Sequence, residues 1–198
     1  NTILGNRLHA RRRQADRCAM PDVSSDAGPL VRLHGSDSQS LDDMIEHLHV
    51  LALGNLDPCI HFAILSDFVD ASSEHMPGDE AILAAAETGM ARLARQLGDG
   101  TCFLLHRRRQ WNEAEQRWMG WERKRGKLQE FNRLLRGATD TTFLDTGTRS
   151  PADIRYVVTL DSDTRLPRDA AKKLVGILAH PLNRPRFDPR IGRVTEGY

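Results

Sequence analysis

The chain has 198 residues, of which 39% are hydrophobic and 28% charged, and a formal net charge of +1. That balance argues against nonspecific attraction to nucleic acid as the basis of function, and the length accommodates one sizeable domain. No run approaches the ~20 apolar residues of a membrane span, and no signal-peptide pattern is present. The cysteines, Cys18, Cys59 and Cys102, are odd in number and lack metal-type spacing, which points to reduced, buried thiols.

Residues 1–28 are rich in Arg, Asp, Ser and Gly and poor in apolar side chains, and read as an irregular basic arm or linker. Pro29–His34 is a short strand candidate interrupted by Arg32. Ser40 then offers an N-cap to a helix with an apolar face of Leu41, Met44, Ile45, Leu48 and Leu51, ended by Gly54-Asn55. Ile60–Leu65 reads as a buried strand arriving at Ser66-Asp67. Pro77-Gly78-Asp79 starts a second helix with a stripe of Ile82, Ala86, Met90, Leu93 and Leu97, stopped by Gly98.

Thr101–His106 is the next strand. Arg107-Arg108-Arg109 after it reads as an exposed basic loop. Trp111, Trp118 and Trp121 follow as packing anchors of a long loop. A third helix spans about Glu122–Arg136, with Leu128, Phe131 and Leu134 or Leu135 inward and Gly137 as terminator. The β-branched run Ile154–Leu160 climbs to Asp161-Ser162-Asp163. A fourth helix after it turns Ala171, Leu174, Val175 and Leu178 inward. Strands alternating with amphipathic helices predict an α/β fold with a parallel sheet.

Two carboxylates one residue apart, at the end of a buried strand, suit a divalent cation that retains waters and binds phosphate oxygens. The plainer reading is an Asp-rich turn capping the next helix. An EF-hand loop fails, because Arg165 and Leu166 stand where it needs an oxygen ligand and a glycine. The Asp-x-Asp phosphatase pattern fails because Thr164 is fourth and not fifth. Gly120–Lys127 has one residue too many for a phosphate loop, and Leu128 replaces its hydroxyl. The Asp-x-Asp of nucleotide-sugar glycosyltransferases survives. There a carboxylate-held cation neutralises the departing diphosphate. Asp67, Arg125-Gly126-Lys127 and Asn132 stand in the order that construction requires.

The words Trp118–Leu128, Leu134–Gly137, Leu166–Asp169, Ala179–Pro185 and Val194–Tyr198 resemble the cyclic β-1,2-glucan synthases. The resemblance runs from about Asp42 to Tyr198. It implies a Rossmann-like GT-A domain, an α/β/α nucleotide-sugar-binding fold of the inverting type. Residues 29–198 would be its donor-binding part, incomplete at the C-terminal end, in a fragment of a larger protein. It also implies a UDP-glucose donor, a β-glucan acceptor and Mg²⁺ or Mn²⁺. The parent would be a larger synthase in the bacterial inner membrane, with this region on the cytoplasmic face.

Carried over residue by residue, Asp161 and Asp163 serve metal and donor diphosphate, and Asp67 the uridine side. Lys127 and Arg125 serve donor phosphates or a neighbouring acid, and stacking on sugar rings is the other role open to Trp111, Trp118 and Trp121 beside that of packing anchors. An inverting step needs a carboxylate base for the acceptor hydroxyl. Asp169, Asp188 and Glu196 read instead as surface or loop residues, so that base is expected outside this chain. The family's first strand is smoothly apolar and ends in a Pro-Thr turn, a form that Leu30–Asp37 lacks. The competing reading is a non-catalytic basic module using its Arg runs on RNA or an anionic membrane surface, although no nucleic acid is expected as partner.

Overall fold

The computed structural model describes residues 29–34 (backbone only), 41–146, 153–183 and 185–197. The basic arm expected at 1–28 lies outside the described residues. In chain order the elements are β1 (Pro29–His34), α1 (Leu41–Gly54), β2 (His61–Asp67), α2 (Asp79–Leu97) and β3 (Cys102–Arg107). A hairpin of β4 (Gln110–Asn112) and β5 (Arg117–Met119) precedes α3 (Arg123–Leu135), β6 (Tyr156–Asp161) and α4 (Ala170–Ala179). A 3-10 turn, Pro181–Asn183, leads to a second hairpin of β7 (Arg186–Asp188) and β8 (Arg193–Glu196).

β1, β2, β3 and β6 form one parallel sheet in the order β3-β2-β1-β6. The expected α/β class with a parallel sheet is therefore present. This is the strand order of half a doubly wound sheet, in which the chain reverses direction between its first and fourth strands. Strand β1, despite Arg32, takes a central position and pairs with both β2 and β6.

Alternation along the buried strands divides the core in two. Phe62, Ile64, Cys102, Leu104 and Leu160 pack with Met44, Ile45, Leu48, Leu51, Ala86, Met90, Leu93 and Ala171, so α1, α2 and α4 cover one face. Ala63, Leu65, Phe103 and Leu105 point the other way, onto Phe131 of α3. The result is three layers. Cys102 is buried, and burial pushes its thiol up to about 12. Cys59 is disulfide-bonded, so among the described residues the reduced-thiol expectation holds for Cys102 alone.

Helix ends follow the chemistry of their sequences. Gly98, in the positive-φ region that disfavours a side chain, ends α2 with its amide bonded to the Ala94 carbonyl at 2.8 Å. Asn55 does more than end α1. Its buried amide donates to the Leu51 carbonyl at 3.1 Å, and its Oδ1 accepts from the Ala171 amide at 3.0 Å. The end of α1 thereby caps the start of α4.

The expected inward face of α4 is only half right. Ala171 and Val175 are buried, but Leu174, Ile177 and Leu178 are exposed. They continue into Leu182, Phe187 and Val194, also exposed. Ile82 of α2 is likewise exposed, because the core stripe of that helix begins a turn later. Among the described residues no helix is long and apolar enough to cross a membrane.

Candidate functional site

All four parallel strands end on the same edge, and their polar last residues gather there. In register, His34 of β1 stands beside Asp161 of β6, and Asp67 of β2 beside Arg107 of β3. One strand separates β2 from β6, and Asp67 stands two residues beyond the level of Asp161, so the two aspartates sit about 12 Å apart by strand spacing and rise. In open α/β sheets the crevice beyond the strand ends, at the reversal point, is where ligands bind. Asp161 lies at that point.

The first turns of α3 lie across this edge and touch both acids. Lys124 Nζ is 2.5 Å from Asp161 Oδ1, and Lys127 Nζ is 3.0 Å from Asp67 Oδ2. Three residues apart on a helix, the two lysines share a face. They differ in setting: Lys127 is buried, whereas Lys124 and Asp161 are about half exposed. Arg125 stands at the surface, 3.0 Å from Glu122. Of the basic run, Lys124 meets the acidic turn, a role its position within a charge cluster does not reveal.

Beneath this edge lies a buried ionic cluster that the sequence reading missed. Arg107, expected in an exposed loop, is 0% exposed. Its Nε and Nη2 donate to the two Asp67 oxygens at 2.6 and 3.2 Å. Its Nη1 donates to the Trp121 carbonyl at 3.1 Å and reaches Glu130 at 3.4 Å, and Nη2 also donates to the Arg123 carbonyl at 3.1 Å. Arg109 is also buried, against Asp79 and the carbonyls of Val69 and Glu74. Only Arg108 of that run is exposed.

The reason is geometric. β3 is buried along its whole length, and Arg107 continues it in register with an acid. A guanidinium fork at such a place can satisfy a carboxylate and two carbonyls at once. Burial pushes the Asp67 carboxyl up, but Arg107 and Lys127 outweigh it and hold it below its ordinary value.

Glycines permit the close packing. A Cβ on Gly120 would stand 2.8 Å from the Asp67 carboxyl carbon, and one on Gly126 would stand 2.0 Å from the Trp121 carbonyl oxygen. At Gly126 it is the Trp121 backbone that comes so close. Next to the cluster, His106 Nδ1 is hydrogen-bonded to the Ser66 hydroxyl at 2.7 Å. His106 Nε2 is the one buried side-chain polar atom without a hydrogen-bond partner among the described residues. Burial lowers the His106 pKa to about 4, against the opposing pull of Asp67.

The acidic turn itself is fixed from below. The Thr164 amide bonds the Asp161 carbonyl at 2.9 Å, and His47 Nδ1 of α1 donates to the Ser162 carbonyl at 2.6 Å. α4 begins well after the turn, at Ala170, and takes its cap from Asn55. Asp163 is exposed. No group of three His, Cys, Asp or Glu side chains suited to a metal occurs among the described residues. Asp169 is exposed, Glu196 is paired with Arg186, and Asp188 holds the Arg190 amide of its own turn. These fit the expected surface and loop roles.

Two of the three tryptophans depart from the role of packing anchors, while Trp118 is half-buried and packs on Trp111. Trp111 and Trp121 are 44% and 39% exposed. Together with Trp118 they line an open cleft of about 780 Å³ beside the β4–β5 hairpin.

No protein-family model matches the chain. Over 161 residues, 80% of its length, it is 53% identical to the cyclic β-(1,2)-glucan synthase NdvB of Rhizobium meliloti (strain 1021). The matched stretch is 6% of that relative's length. Identity at this level over so long a stretch makes the two homologous there, as the motif words imply.

Proposed function

We propose that this stretch, homologous to part of a cyclic β-(1,2)-glucan synthase, is the donor-binding half of a GT-A glycosyltransferase. The observation that carries the reading is the pairing of one helix with both acids of the sheet edge. Lys124 faces Asp161 and Lys127 faces Asp67, at the reversal point of a doubly wound order. The donor would be UDP-glucose, and the glucose would pass with inversion to a growing β-1,2-glucan. The remainder of a larger membrane-embedded synthase would supply the acceptor site and the general base.

The donor set fits Mg²⁺ or Mn²⁺ of one kind only. Two carboxylates on an exposed turn, with no third protein ligand among the described residues, do not make an all-protein cage. They suit an ion that takes its other ligands from water and phosphate oxygens. Asp161 already faces an ammonium group, so Asp163 is the stronger candidate ligand, with Asp161 holding Lys124 and the ion's waters. The cation, when bound, would offset the charge developing on the departing diphosphate.

The chain's own residues would do the rest. Lys124 places positive charge beside the acidic turn. Asp67 offers about four acceptor positions, and Arg107 and Lys127 occupy three of them. One remains for a base or ribose donor. Arg125 would have to leave Glu122 to reach a phosphate. The alternative of a basic RNA- or membrane-binding module loses one of its Arg runs, because Arg107 and Arg109 are buried in ion pairs.

The test is calorimetric titration of UDP-glucose, with and without Mn²⁺, into this chain and into its Asp163→Ala variant. Metal-dependent binding by the parent, weakened at least tenfold in the variant, is expected. Binding that ignores both metal and substitution would sink the reading.

A further inference from the structure

The cleft beside the β4–β5 hairpin is separate from the acidic turn, and nothing in the donor reading uses it. Trp111 on the hairpin and Trp121 just after it leave part of their apolar ring area in water. The hairpin does not need them for anchorage. It is attached to the rest of the molecule by two backbone bonds of 2.9 Å between Ala71 and Trp118, by the buried Met119 side chain and by an ion pair between Arg123 and Glu115.

The rings are nonetheless held in place. Trp111 and Trp118 pack across the hairpin at 5.9 Å, tilted by 59°. The Trp111 indole N–H donates to Glu113 Oε2 at 2.7 Å. Arg109, at the back of the cleft, is locked by Asp79 and two carbonyls. A rigid aromatic wall with planar polar groups beside it is the form of a preorganised site.

Its chemistry narrows the ligand. Indole faces accept the apolar C–H face of a pyranose ring, while the amide of Asn112, the carboxylate of Glu113 and the guanidinium of Arg108 match vicinal hydroxyls. Glu74, Glu113 and Glu122 also line the cleft, while Arg109 is neutralised by Asp79. Glu122 is likewise paired with Arg125, which leaves Glu74 and Glu113 against Arg108, and so small a net charge suits a neutral ligand. A volume of about 780 Å³ exceeds what one sugar ring needs. At its inner end, Trp121 and Glu122 lead directly into α3, whose Lys124 faces Asp161.

We propose that this cleft is a glycan subsite in which Trp111 and Trp121 stack on sugar rings of a neutral gluco-oligosaccharide, beside and distinct from the donor site. The choice of a β-1,2-linked glucan as its ligand rests on the donor reading above; the stacking chemistry does not.

The experiment titrates short linear β-1,2-gluco-oligosaccharides into the 198-residue chain without metal, read by tryptophan fluorescence and calorimetry. Saturable binding is expected, weakened at least tenfold in Trp111→Ala and in Trp121→Ala, retained in Trp111→Phe and unchanged in Asp163→Ala. UDP-glucose with Mn²⁺ is titrated in parallel and should show the reverse pattern. Absence of oligosaccharide binding by the parent overturns the proposal, as does binding indifferent to both tryptophan substitutions. Loss of oligosaccharide binding in Asp163→Ala also overturns it, by making the two sites one. Failure of UDP-glucose alone refutes the donor reading and leaves the subsite supported.

Discussion

Arg107→Met is the substitution that bears most directly on how the sheet edge is built. The thioether fills much of the same space but makes none of the five hydrogen bonds that the guanidinium gives to Asp67, Glu130 and the Trp121 and Arg123 carbonyls. Removing one partner of a buried ion pair costs about 3–5 kcal/mol, and each stranded carbonyl adds roughly 1 kcal/mol unless water reaches it. Against a total stability of about 5–15 kcal/mol, the loss is severe. With a urea m-value of about 2 kcal/mol/M, the unfolding midpoint should fall by roughly 1.5–3.5 M, the larger figure holding if both carbonyls stay dry.

The loss should also depend on pH in a defined direction. In the parent, Asp67 is held below its ordinary value of 3.8, so the stability it contributes is present above that value and is lost as pH falls below it. Without Arg107 the opposing effect of burial is less well countered, and the deficit of the variant should shrink as pH drops below about 4. Adding Asp67→Leu to Arg107→Met should recover part of the loss, because the pair is removed together. A variant unfolding within about 0.5 M of the parent, equivalent to a loss of only about 1 kcal/mol, would refute the account of the cluster.

Other consequences follow from neighbouring features. Gly126→Ala drives a methyl group to 2.0 Å from the Trp121 carbonyl; the start of α3 must move, at a cost of about 3 kcal/mol or more, seen as a lower thermal midpoint and weaker UDP-glucose binding. An unchanged midpoint would show that the helix start is looser than described. His106, whose pKa burial lowers from 6.5 to about 4, stabilises the fold fully above 6.5 and loses that contribution as pH falls toward 4. That amounts to about 3 kcal/mol. Urea midpoints measured across this window should decline in the parent and decline less in His106→Gln; parallel declines would remove His106 as the cause.

The sequence revealed what repeats locally. Apolar runs gave β2, β3 and β6, heptad-like spacing gave α1 and α2, and the acid pair after β6 gave the candidate site. What escaped it depends on which residues become neighbours across the sheet. Arg107 looked like the start of a basic loop because its partner, Asp67, lies on the adjacent strand, and no local pattern reports that register. Lys127 and Glu130 fall on a helix face that appears polar and solvated, yet both are buried because the sheet edge beneath them is charged. Leu174 and Leu178 met the pattern of a buried stripe, but burial requires a surface to pack on, and α4 finds one only along Ala171 and Val175. The indoles failed for the opposite reason, as a rule that large apolar rings pack inward does not foresee a short hairpin.

The sheet is unevenly anchored. β2 lies between two strands and β3 is buried throughout, whereas β6 ends the sheet order among the described residues, bonded on one side to β1 and buried fully only at Leu160. Strands held this way open locally at lower free energy than the whole domain unfolds. The acidic turn rides on that strand, so it can loosen while the Asp67–Arg107 cluster stays intact, and a ligand bridging Asp163 and α3 would tighten it. Native-state hydrogen exchange should find the β6 amides the least protected of β2, β3 and β6 and the most slowed by UDP-glucose with Mn²⁺; equal protection across the three would contradict the idea.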